Sequence, residues 1–161
     1  MEHSSNNDIR NILQSVCDPE IPVLSVMDMG IIRNIHNTPH EVVVHITPTY
    51  TGCPAMDVIS TQIRMALLAA GYPSVKIVQE LSPAWTTDWI SEEGKQKLKA
   101  YGIAPPIGKA VDAIWLEDLH PPCPQCNSTN TELISQFGST ACKALFKCLD
   151  CKEPFDYFKC H

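Results

Sequence analysis

The amino-acid sequence predicts a two-part chain: an α/β segment in which helices and strands alternate, then a small all-β segment organised by cysteines. Three observations carry this reading. Before Pro106, apolar residues recur at helical spacing in some stretches and at strand spacing in others. From Gly102 to Pro122, prolines and glycines break any sustained period. Cysteine usage then changes: Cys17 and Cys53 stand alone, whereas Cys123, Cys126, Cys142, Cys148, Cys151 and Cys160 crowd the C-terminal end. The expected boundaries are 1–106 for the α/β domain, 107–122 for a proline-rich linker and 123–161 for the cysteine-organised segment.

From Asp8, the residues Ile9, Ile12, Leu13, Val16 and Cys17 form the stripe of an amphipathic helix, with Cys17 completing it as a buried structural residue. After the turn "DPEIP", the runs "GIIRNI" and "EVVVHITPT" read as paired strands. The second alternates Val42, Val44 and Ile46 against Val43, His45 and Thr47, so His45 is a satisfied or half-exposed strand residue. Pro54 to Ala70 reads as a second helix with Met56, Ile59, Ile63, Ala66, Leu67 and Ala70 on one face, ended by Gly71 and Pro73. "SVKIVQEL" is a third strand, and "SEEGKQKLKAYGI" a short helix capped by Ser91 with acids in its first turn.

Charge narrows the function classes. Eighteen acids against twelve bases leave a net charge of -6, which repels nucleic acid and anionic membrane in the absence of a basic patch. The densest basic run, "KQKLK", follows two glutamates and is spaced like the wet face of a helix. The N-terminal "MEHSSNND" has no hydrophobic signal core, and no run of eighteen apolar residues occurs, so a soluble, cytoplasmic protein is expected.

The C-terminal cysteines have metal-ligand spacing. "CPQC" supplies Cys123 and Cys126, twenty-one residues intervene, and "CLDC" supplies Cys148 and Cys151. Two such pairs make a tetrathiolate site, and "TELISQF", "ACKALFKC" and "PFDYFK" supply three strands around it, which is the pattern of a zinc ribbon. So short a segment cannot bury enough surface to fold alone, whereas a structural metal contributes on the order of 10 kcal/mol or more. Zn²⁺ is the expected ion, although the same four sulfurs also accept iron in a rubredoxin-like site. Disulfides would need an oxidising compartment, for which the sequence carries no export signal. Cys142 and Cys160 are left open between packing in the ribbon and a further thiol site, as is the terminal His161.

Cys53 poses the sharper question. Pro54 suits the first helical position, so Cys53 falls at or beside the helix N-cap, where unpaired amides and the dipole favour an anion. Gly52 permits a tight strand-to-helix turn there. The sulfur either packs under that turn or serves as a working thiolate, and the residues leave both open. Upstream, Asp18, Glu20 and Asp28 lie in proline-punctuated chain where functional groups are often displayed, yet each also has a plain turn-forming role.

The stretch "DPEIPVLSVMDMGIIRNI" followed by "TPTYTGCPAM" resembles the small domain of SufT-like iron–sulfur assembly proteins, with Met29 where leucine is usual. The pieces "PAWTTDWI", "YGIAPP", "FGSTACKALFKC" and "PFDYFKCH" are similar to the PaaD family, accessory subunits encoded with bacterial phenylacetyl-CoA epoxidase, and extend the resemblance from Ile9 to His161. It implies a SufT-like α/β sandwich plus a zinc ribbon in a non-catalytic accessory protein. That protein would assist iron or iron–sulfur insertion into an oxygenase or reductase subunit, or work with iron–sulfur assembly proteins. The implied functional thiol is Cys53, with Asp18, Glu20 and Asp28 in the neighbouring motif and a transient Fe or Fe–S cargo. Two other classes compete: a thiol redox enzyme using Cys53 with His45 as base, and a zinc-ribbon module for docking or nucleic-acid binding. From His120 onward four lysines meet four acids, which argues against nucleic acid. Whether two chains associate as a homodimer is left open.

Overall fold

The computed structural model describes residues 5–49, 52–107 and 115–159. Chain contacts divide the molecule into two units, Met1–Trp85 and Thr86–His161.

In the first unit, helix α1 spans Asn6–Leu13. It starts ahead of Asp8 because Ser5 and Asp8 form a capping box: the Asp8 amide donates to Ser5 Oγ at 3.4 Å, and the Ser5 amide donates to Asp8 Oδ2 at 2.8 Å. The helix ends earlier than the apolar stripe implies. Val16 to Asp18 are drawn into a bridge, with the Val26 amide on Val16 O and the Asp18 amide on Leu24 O, both at 2.8 Å. Pro19 favours extended backbone at Asp18, so this turn outcompetes another helical turn. Cys17 therefore does not complete a buried helix face: it is half-buried and bridged to Ser25.

Strands β1 (Ile32–Asn37), β2 (Val42–Ile46) and β3 (Val75–Gln79) form a sheet in that order, β1 antiparallel and β3 parallel to β2. Helix α2 (Ala55–Ala69) is the crossover that parallel neighbours require. The strand alternation holds: Val42, Val44 and Ile46 are fully buried, and α1 contributes Ile9 and Leu13 and α2 Ile59, Ile63 and Leu67 to the same core. Each such side chain contributes about 1.5–3 kcal/mol on burial. Trp85 closes the unit, its indole donating to Met29 O at 2.8 Å.

The second unit holds a four-stranded sheet ordered β4-β7-β6-β5, from β4 (Ile103–Ala104), β5 (Thr131–Ser135), β6 (Lys143–Cys148) and β7 (Pro154–Phe158). The last three are the expected strands and run antiparallel. Phe146, Phe155 and Tyr157 form their core, with Leu116, Leu119 and Leu133 packed against it. Helix α3 (Glu92–Tyr101) is capped by Ser91, whose Oγ accepts from the Gly94 amide at 2.9 Å, and it stops at Gly102, φ 94°.

The structure moves one boundary. The stretch from Thr86 to Ile107, expected with the α/β domain, belongs to the ribbon's unit. β4 pairs in parallel with β7, and the Ile107 amide donates to Tyr157 Oη at 3.1 Å. A two-residue strand has no readable period, so only the open edge of β7 reveals where it belongs. In the expected linker, Leu116–Asp118 form a 3₁₀ turn and not a strand, while 108–114 lie outside the described residues.

Candidate functional site

Cys53 sits where strand β2 hands over to helix α2. Pro54 is the N-cap, one position earlier than expected, and the Met56 amide reaches back to Cys53 O at 3.2 Å. Gly52 takes φ 78°, which only glycine adopts without strain, and its missing Cβ would meet nothing within 4 Å. The thiol is half-exposed and accepts a long contact of 3.8 Å from Thr49 Oγ1. No side chain caps the first turn of α2.

Two of the upstream carboxylates are turned into their own loops. Asp18, 8% exposed, accepts from the Glu20 amide at 2.7 Å and the Ile21 amide at 3.0 Å, which closes the "DPEIP" turn. Asp28, 4% exposed, accepts from the Ser25 amide and from Gln14 Nε2, both at 3.2 Å. Glu20 points to solvent. Cys53 and these three carboxylates do not converge into one ligand group. His45 is engaged elsewhere: its Nδ1 lies 2.6 Å from Glu80 Oε1, and its ring packs edge-on against His36. It occupies the strand face opposite buried Val44 and Ile46.

A groove of about 460 Å³ lies between the 15–22 loop and α2, with Cys17 and Asp18 on one wall and Gln62 and Met65 on the other. The helical period hid Cys17's place there, because the residue departs from the helix only through long-range pairing.

The four-cysteine centre is fully assembled. Cys123, Cys126, Cys148 and Cys151 place their sulfurs within 4.8 Å of one another, the one such ligand group among the described residues. Cys123 and Cys151 are 3.7 Å apart, and Cys126 and Cys148 3.5 Å. A tetrahedral ion with bonds of about 2.3 Å requires sulfurs about 3.8 Å apart, so the cluster fits Zn²⁺. Each CxxC hairpin ends in a left-handed residue, Asn127 (φ 62°) and Lys152 (φ 67°), and the Asn127 amide returns to Cys123 O at 2.8 Å.

Backbone amides point at the sulfurs: Gln125 N to Cys123 at 3.4 Å and Cys151 N to Cys148 at 3.5 Å. The Cys151 amide is the main cause that lowers the Cys148 thiol to about 7. Cys151 keeps an amide bond from Glu153, yet desolvation and the neighbouring sulfurs push it up to about 12. Four thiols this close do not all ionise without a cation between them, which is the chemistry of a metal site. Cys142 lies apart from this set, with Thr140 Oγ1 3.0 Å from its sulfur; Cys160 and His161 lie outside the described residues.

Fold and site together define a two-part protein: an iron–sulfur-assembly-type α/β domain joined to a zinc ribbon. Residues 6–78 match the family described as iron-sulfur cluster assembly protein, and residues 112–159 match the PaaD zinc beta ribbon domain. The chain belongs to the PaaD family: it is 46% identical, over 96% of its length and 92% of the relative's, to an Escherichia coli (strain K12) protein named as a component of 1,2-phenylacetyl-CoA epoxidase. An Fe-S protein maturation auxiliary factor of Porphyromonas gingivalis is 38% identical over 58% of this chain and 90% of its own. Among solved structures, a conserved hypothetical protein from Thermotoga maritima aligns with TM-score 0.52 and 27% identity, covering 61% of this chain and 98% of that one. A DUF59 domain from Bacillus anthracis aligns with TM-score 0.53 at 21% identity, over 57% of this chain and 89% of that one, and shows the same fold. Among the described residues no helix is long and apolar enough to cross a membrane.

Proposed function

We propose that this protein is a non-catalytic maturation factor for a phenylacetyl-CoA epoxidase, a multicomponent monooxygenase, and that it passes iron or an iron–sulfur cluster to a client subunit through Cys53. The observation that carries the reading is the setting of that thiol: half-exposed, at the uncapped start of α2, beside an open glycine turn. A soft thiolate ligates ferrous iron or a cluster, and a single donor releases its cargo when a client offers a fuller ligand set. Asp18 and Asp28 hold the loops that precede β1, and exposed Glu20 is the carboxylate available to a labile ferrous ion. The client is an oxygenase or reductase subunit, or a partner in iron–sulfur assembly, with no nucleic acid involved and the exchange taking place in the cytoplasm. In the ribbon, the four cysteines hold a structural Zn²⁺ that shapes a docking module. The competing thiol-enzyme reading needs a base beside Cys53, whereas His45 is occupied by Glu80.

The test is metal and sulfide content after anaerobic reconstitution with ferrous iron, sulfide and thiol, in wild type and Cys53→Ser. The reading expects one zinc in both and additional iron in wild type alone, with Cys53→Ser failing to support epoxidase activity in cells. Full cellular activity in the variant would refute it.

A further inference from the structure

The four sulfurs are joined by a second set of contacts. Asp150 lies inside the second hairpin, between Cys148 and Cys151, and its carboxylate reaches across to the segment leaving the first. Ser128 Oγ donates to Asp150 Oδ2, and Asn130 Nδ2 donates to Asp150 Oδ1 at 3.0 Å. The same segments are laced by backbone: Leu149 N to Asn130 O at 2.8 Å, Cys123 N to Ser128 O at 2.9 Å, and Asn130 N to Ser128 Oγ at 3.1 Å.

The two residues joined by this carboxylate are also amide donors to the metal site. The Ser128 amide points at the Cys126 sulfur and the Asp150 amide at the Cys148 sulfur. Those two sulfurs are a close pair, 3.5 Å apart. A carboxylate beside a site of four thiolates and one divalent ion adds charge to an already dianionic centre. Coulomb energy therefore opposes its presence, and its two hydrogen bonds are what it contributes.

We propose that Asp150 is a positioning residue for the metal: its side chain clasps the two cysteine hairpins so that the Ser128 and Asp150 amides stay aimed at Cys126 and Cys148, and this sets how slowly the ion leaves. The role depends on the shape of the side chain and not on its charge. Asp150→Asn keeps an acceptor for Asn130 and places an amide donor against Ser128 Oγ, so it preserves the clasp, whereas Asp150→Ala removes it.

The experiment measures transfer of zinc from the loaded full-length protein to a colorimetric chelator at fixed pH, alongside the visible spectrum of the Co²⁺-loaded form. Loss of an outer-shell partner typically costs 10–100-fold in metal affinity, so Asp150→Ala should lose zinc at least about tenfold faster. Its cobalt–thiolate bands should shift, and Asp150→Asn should restore both readouts. Adding Ser128→Ala to Asp150→Ala should accelerate loss little further, because both remove the same bond. An unchanged rate in Asp150→Ala overturns the proposal, as does an Asp150→Asn protein that behaves like the alanine variant. Should Asp150→Ala fail to load, Asn130→Ala removes one of the two bonds alone: faster loss supports the clasp, and a wild-type rate overturns it.

Discussion

Removing one thiolate of the ribbon, by Cys126→Ala, separates the two units of the molecule most sharply. The second unit's apolar core rests on three large aromatic side chains, Phe146, Phe155 and Tyr157. At about 1.5–3 kcal/mol each they supply about 5–9 kcal/mol. A structural Zn²⁺ supplies on the order of 10 kcal/mol or more. The ion therefore weighs as much as that aromatic core, and three thiols do not close a tetrahedral structural site. The first unit has its own core, from Ile9 through Leu67, and does not draw on the metal. In a ¹H–¹⁵N correlation spectrum of the Cys126→Ala chain, resonances from 115–159 should collapse to the narrow dispersion of unfolded backbone while those of 5–49 keep their positions. Metal analysis should fall from one zinc to near none. A variant that still holds one zinc with an intact ribbon spectrum would refute the ligand set, and loss of both sets of resonances would refute the independence of the two cores.

Two further outcomes follow from the same geometry. Ile63→Ala, at a fully buried position on α2, should destabilise the first unit by about 2–5 kcal/mol in chemical denaturation and leave zinc content unchanged. Zinc affinity should fall as pH falls: metal binding requires thiolates, and Cys151, pushed up to about 12, carries its proton at neutral pH. Cys148, held at about 7, gives up its proton first. Calorimetry in buffers of different ionisation heat should show protons released on zinc binding, and an affinity independent of pH would contradict the coupled thiols.

Much of the architecture was legible in residue order because it is written in short-range patterns. The alternation of Val42, Val44 and Ile46, the stripe Ile59, Ile63 and Leu67, and the cap at Ser91 are local signals, and each appears where expected. The spacing of "CPQC" and "CLDC" likewise specified the four-cysteine cluster, since four thiols in two hairpins have few other ways to be satisfied. Helix α1 shows where such reasoning stops. Its stripe continues through Cys17, but the bridge to Ser25 pulls that residue out of the helix and onto the wall of a groove.

The sequence by itself determined which segments are helix and strand, which four cysteines converge and where the isolated thiol of Cys53 stands relative to α2. Tertiary structure decided the rest: that Thr86 to Ile107 joins the ribbon's sheet through β4, that Asp18 and Asp28 turn into their own loops, that His45 answers to Glu80, and that Asp150 spans both cysteine hairpins. The reason is one of range. Propensity, capping and CxxC spacing act between residues a few positions apart, whereas an open strand edge or a buried carboxylate takes its partner from whatever the folded chain brings beside it.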